Sequence, residues 1–93
     1  MLAVKLPSPQ DILFLRGDIN YTEFHLVNGK KVVSSTTLLR HQEKLDGFIR
    51  VSKKHLVNPE YVLQIEINQG IRQVLMFNGE RISVARRRKN SLI

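Results

Sequence analysis

Three separated stretches of this chain carry side chains suited to gripping a polyanion. The first is Gly17-Asp18-Ile19-Asn20-Tyr21, a connection between strand-like runs that offers an amide and a phenol. The second is Ser52-Lys53-Lys54-His55, which cuts through the β-rich sequence FIRVSKKHLVNPEYV. The third is Arg86-Arg87-Arg88-Lys89, which follows the final apolar run. Asn and Arg can each make paired hydrogen bonds to base edges, Asn to adenine and Arg to guanine. Lysines and surplus arginines hold phosphates, which supply most of the affinity for a nucleic acid and make it salt-dependent. Taken singly, each cluster also has a plainer reading. Arg86 to Lys89 could be a frayed basic end, and Lys53-Lys54 a solvated bulge guarding a strand edge.

The totals agree with the cationic theme and narrow the chemistry. Fifteen Lys and Arg against eight Asp and Glu give a formal charge of +7 and a pI near 10.3. Such a surplus on a small surface favours DNA, RNA or an acidic membrane as partner, against the bland reading of a solubilising coat. With no cysteine there is no disulfide framework and no thiolate site. His25, His41 and His55 lack ligand spacing, so neither metal nor cofactor is expected. No GxSxG elbow or glycine-rich phosphate loop occurs, and the carboxylates are scattered; no catalytic residue, enzyme activity or small-molecule substrate is expected. His25 reads as a solvent-facing strand residue and His41 as part of a helix's polar face. No run reaches a membrane span and MLAVKLPSPQ lacks a secretory core, so a cytoplasmic location is the simplest expectation.

The elements that must position these clusters are mostly strands. Residues 1–10, with Pro7 and Pro9, read as a lead-in or linker remnant, and residues 11–93 as one domain. Ile12 to Leu15 form a short buried strand. Asn28-Gly29 and Asn78-Gly79 each sit between β-rich runs and predict hairpins with type I′ turns. A helix follows Ser34, Ser35 or Thr36 as cap, with Leu38, Leu39 and Leu45 as its apolar stripe and Gly47 as its stop. In YVLQIEIN, Leu63, Ile65 and Ile67 alternate with Gln64, Glu66 and Asn68. Asn58-Pro59 is a structural turn, and Phe14, Phe24, Phe48 and Phe77 occupy core-like positions. The whole is a mainly β domain of small antiparallel sheets with one short helix.

Read in order, these pieces resemble the LytTR family, the mainly β DNA-binding domain of many bacterial response regulators. The resemblance runs from about Asp11 to Arg88 through DILFLRGDINYTEFHL, TTLLRHQEKL, FIRVSKKHLVNPEYVLQI and FNGERISVARRR. It implies an elongated fold whose loops enter successive major grooves of double-stranded DNA, as the output domain of a transcriptional regulator. It also implies possible dimers on paired half-sites and a receiver or sensor domain on the N-terminal side in a longer protein. Carried onto this chain, it makes Asn20, Lys53 and Arg86 the base-reading candidates, with Lys54, Arg87, Arg88 and Lys89 on phosphates. Ser52, Lys53, Lys54 and His55 depart from the family's His-Arg-Ser-Tyr, and a lysine cannot reproduce the planar fork of arginine. Two other classes compete: an RNA or single-stranded nucleic-acid β domain, and a basic module docking an acidic protein.

Overall fold

Ile12, Leu13, Phe14 and Leu15 are four apolar residues in a row, and all four are buried because their strand is covered on both faces. The computed structural model describes residues 6–86. Strand β1 (Ile12–Gly17) lies at the centre of a five-stranded antiparallel sheet ordered β3-β2-β1-β5-β4. Its partners are β2 (Thr22–Leu26), β3 (Lys31–Ser34), β4 (Ile49–Arg50) and β5 (His55–Val57). A second sheet contains β6 (Val62–Asn68), β7 (Ile71–Met76) and β8 (Arg81–Ser83), in that order.

A register shift between Ile12 and Phe14 in β1 divides the buried run between two cores. Leu13 and Phe14 join Val51 and Val57 against Val74, Met76, Ile82 and Val84 of the second sheet. Ile12 and Leu15 join Phe24, Leu56 and Leu38, the last from helix α1 (Leu38–Lys44), on the opposite face. The first sheet is thus the middle layer, with the small sheet on one side and the helix on the other. Together they form a body of 50 × 25 × 19 Å, elongated as the LytTR resemblance implies.

Several local expectations change. At both Asn-Gly pairs only the glycine has positive φ, 87° at Gly29 and 94° at Gly79, so neither turn is type I′. Gly29 N–H instead donates to Leu26 O and Gly79 N–H to Met76 O, while each asparagine Oδ1 accepts from the residue two positions on. The two-residue turn with positive φ at both positions is Gln69-Gly70 (52° and 81°), between the paired Asn68 and Ile71.

The helix caps at Thr37, one residue beyond the expected candidates, and without a side-chain cap bond. Its inward face is Leu38, His41 and Leu45, a three- and four-residue spacing that turns Leu39 outward. His41 is therefore not surface decoration. It is 3% exposed, its Nε2 lies 3.0 Å from Ser34 Oγ, and its ring meets Phe24 edge-on at 4.7 Å. Burial, reinforced by the Lys44 charge, holds its pKa below the ordinary histidine value. His25 is half-covered rather than solvent-facing, because its β1 partner is Phe14 and the two rings stack at 4.4 Å. Phe77 leaves the core for the turn before Gly79 and is exposed, its ring 6.4 Å from that of Tyr61.

Asn58 keeps its structural part. It is buried, donates from Nδ2 to the carbonyls of Pro9 and Ile12, and accepts from Glu60 N–H.

Candidate nucleic-acid interface

The segment Ser52 to His55 is the tight connection between β4 and β5, which explains why cations interrupt a strand-forming sequence. Val51 N–H donates to His55 O at 3.1 Å, closing the turn, and Lys54 N–H donates to Ser52 Oγ at 3.3 Å. Val51, fully buried between the sheets, fixes one foot of the turn, and Leu56, fully buried under the helix, fixes the other.

Arg50 then clamps the connection from below. Its Nε donates to Ser52 O at 2.8 Å, its Nη2 to Lys53 O at 2.6 Å, and its Nη1 to Gln42 Oε1 of α1 at 2.7 Å. One planar guanidinium so holds two successive turn carbonyls and ties them to the helix, a geometry for which a lysine has no equivalent. His55 Nδ1 lies 3.2 Å from Ser52 Oγ. Burial, with the charges of Arg16, His25 and Lys54 adding to it, pushes the His55 pKa down to about 4, so the ring is neutral near pH 7. The cations displayed are therefore Lys53 and Lys54, both exposed, while the two other basic side chains of the stretch serve the scaffold.

The loop 18–21 sits beside this turn. Gly17 N–H donates to Lys54 O at 2.7 Å. Gly17 is needed there, since a Cβ would stand 2.8 Å from Leu38 Cβ, where α1 crosses the end of β1. Asp18 organises the loop: its backbone N–H donates to Tyr21 O at 2.8 Å, and its Oδ1 accepts from Ile19 N–H at 2.7 Å. That amide bond, then the Tyr21 phenol and the charges of Lys54 and Arg16, hold the Asp18 carboxyl below its ordinary pKa. The Tyr21 phenol is correspondingly raised by Asp18. Asn20 projects beside them as an exposed side chain. A shallow depression lined by Gly17, Asp18, Ile19, Arg50, Lys53 and Lys54 joins loop and turn.

On the other flank, Ala85 N–H donates to Val51 O at 2.8 Å, which brings the chain after β8 alongside the same turn. Lys53 and Lys54 share a second depression with residues 80–85. Arg86, the next residue, is exposed and borders a hollow with Arg72 and Val84. Lys53 and Lys54 thus occupy a middle position, with Asn20 one loop away and Arg86 one residue past the Val51 contact. Among the described residues, the side chains of Asn20, Lys53, Lys54 and Arg86 make no hydrogen bond or ion pair. Arg87, Arg88 and Lys89 lie outside the described residues.

Sequence reading overlooked the residues that hold the edge in place. Gln42 and Gly17 carry no signal by themselves. Arg50 did carry one: it is the only charged residue among Phe48-Ile49-Arg50-Val51, where a solvated charge has no obvious use.

The family model described as the LytTr DNA-binding domain matches residues 3–93. Among solved structures, the chain is similar to one described as the LytTr DNA-binding domain of a methyl-accepting/DNA response regulator from Bacillus cereus. That match has a TM-score of 0.80 at 20% identity, over 90% of this chain and 79% of that one. No curated protein sequence matches.

Proposed function

The chain belongs to the LytTR DNA-binding family, and from that premise we propose that it binds double-stranded DNA sequence-specifically as the output domain of a bacterial transcriptional regulator. Lys53, Asn20 and Arg86 meet base edges in successive major grooves, and Lys54, Arg87, Arg88 and Lys89 neutralise phosphates. The observation that carries the reading is the backbone linkage of three distant segments: Gly17 to Lys54 and Ala85 to Val51. Those two bonds draw the backbone segments that carry Asn20, Lys53 and Arg86 towards the same turn, which supports the reading. A cytoplasmic setting, paired half-sites and a receiver or sensor domain ahead of this one belong to the same proposal.

The chemistry assigns each contact a different signature. A lysine on phosphate contributes to every duplex alike, and each such contact adds roughly 0.9 to the log–log salt slope. An arginine bidentate to guanine contributes about 1–3 kcal/mol at one base position only. Duplexes selected from a random pool provide the substrate, and fluorescence anisotropy at several salt concentrations provides the reading. Lys54→Ala weakens selected and unrelated duplexes equally and flattens the slope. Arg86→Ala leaves unrelated duplexes nearly as before and removes discrimination. Retention of full discrimination by Arg86→Ala refutes its base-reading role. Stronger binding to single strands than to duplex overturns the proposal as a whole.

A further inference from the structure

Among the described residues, strand β6 is an edge of the second sheet, and beyond the register irregularity between Val62 and Gln64 it lacks the lysines and the shortness that keep the other edges from pairing. In the five-stranded sheet, edge β3 begins at Lys31 directly after Lys30, and edge β4 has only two residues. The far edge of the small sheet, β8, has three residues, and Ala85 just beyond it is tied back to Val51. By contrast β6 has seven residues and no lysine, arginine or proline. Residues 56–71 as a whole contain no lysine or arginine, although fifteen such residues are spread over the chain.

The face β6 presents is apolar. Ile65 opposes Val74 and Ile67 opposes Arg72, so both project on the side of the sheet that forms the core, and Leu63 lies at the register irregularity between Val62 and Gln64, beside Val62, which faces Met76. The first sheet covers Val74 and Met76 but stops short of these three. Leu63 is 59% exposed, Ile65 41% and Ile67 64%.

We propose that β6 pairs antiparallel with β6 of a second copy of this chain about a two-fold axis at Ile65. The sequence of the strand singles out that register. Ile65 is the midpoint of Val62–Asn68, and a two-fold there centres the pairing on the regular run Gln64–Asn68, with Leu63 at the register irregularity next to it. It places Leu63 opposite Ile67 of the second copy, and Gln64, an amide donor, opposite the Glu66 carboxylate of the second copy. Centring the axis on Glu66 sets two carboxylates against each other, and centring it on Gln64 leaves Ile67 and Asn68 without partners. Shifting by one residue turns apolar side chains against polar ones. The charge of Glu66 is balanced within each copy by Arg81 at 2.8 Å, so approach of two copies along this strand opposes no unpaired charge. The apolar strip is narrow, which puts the contact among the small, weakly associating interfaces that form at high protein concentration or when two copies share one duplex.

The chain's lack of cysteine makes the test direct. In the 93-residue chain, Ile65→Cys brings two thiols across the axis, with Cα atoms roughly 4.5–5.5 Å apart, within disulfide reach. Under mild oxidation the Ile65→Cys chain forms disulfide-linked dimers at least about tenfold faster than the Val33→Cys chain, whose substitution lies at a comparably exposed β3 position. A mixture of Leu63→Cys and Ile67→Cys chains cross-links, whereas Leu63→Cys alone does not, its own copies lying roughly 13 Å apart along the strand. Sedimentation equilibrium of the unsubstituted chain shows concentration-dependent dimer that Ile65→Lys abolishes. Equal rates for Ile65→Cys and Val33→Cys overturn the pairing, as does cross-linking of Leu63→Cys alone as fast as the mixture. A sedimentation profile that Ile65→Lys leaves unchanged overturns it too, and leaves the strand to a different partner.

Discussion

The turn at residues 52–55 and the edge strand β6 are both exposed, yet they are built in opposite ways. The turn shows cations to solvent and is fixed from beneath by buried Val51 and Leu56, by Ser52 Oγ and by the three-way grip of Arg50. Strand β6 shows aliphatic side chains to solvent and is held along one side only, by β7; its ion pair, Glu66 to Arg81, is a surface pair. A polar group can be displayed in a fixed direction only if the backbone under it has no freedom left. An apolar strip needs no such fixing, since its contacts are non-directional. The difference separates a surface whose backbone is fixed beneath exposed cations from one whose aliphatic side chains are left uncovered.

The comparison breaks first at Arg50. Arg50→Ala removes donors from two turn carbonyls and is expected to cost about 2 kcal/mol, more than an ordinary surface change. Urea denaturation reads this, and a cost near zero means that the turn is fixed without the clamp. Next, Gly17→Ala forces a methyl against Leu38 and is expected to cost roughly 1–2 kcal/mol by overpacking. Thermal melts that coincide with those of the unsubstituted chain contradict the close approach of α1 to β1.

A smaller effect comes from acid. Folding lowers the His55 pKa from 6.5 to about 4, so the unfolded chain binds the extra proton first as pH falls. Stability from this ring is complete above pH 6.5 and is lost between 6.5 and about 4. His41 shifts in the same direction and adds to the loss. For His55 the effect is about 1 kcal/mol once solvent screening of a half-buried ring is allowed for. Denaturation midpoints from pH 7 to 4 measure it, and His55→Gln should flatten the profile; an unaltered slope in that variant assigns the loss elsewhere. Least of all, Ile67→Thr on β6 is expected to change monomer stability by less than about 0.5 kcal/mol. A large loss there would mean that the strip is covered within the monomer.

Much of the candidate site could be named from sequence because charge announces itself. Lys53, Lys54 and Arg86 stand out of their surroundings by type, and Asn20 by its place between two β-rich runs. The scaffold was less legible where periodicity is short. Over seven helical residues Leu39 and His41 could exchange faces in any reading, and only packing against Phe24 and Ser34 decides which turns inward. The Asn-Gly pairs gave the hairpins but the wrong turn type, since the same dipeptide suits a turn in which glycine alone takes positive φ. Alternation in β6 was visible, but not that the covering sheet ends before reaching it.

Sequence alone determined the strand-and-turn grammar, the cationic character and the family, because these depend on residue types and near-neighbour spacing. Tertiary structure decided which charges are displayed and which are used up. Arg50 and Lys53 are three positions apart and both basic, yet one is consumed by carbonyls that only the folded turn brings within its reach. The approach of the loop after Gly17 and of the chain at Ala85 to the turn at residues 52–55 likewise rests on hydrogen bonds between segments more than thirty residues apart. No local pattern encodes such bonds, because they exist only once the two cores have closed.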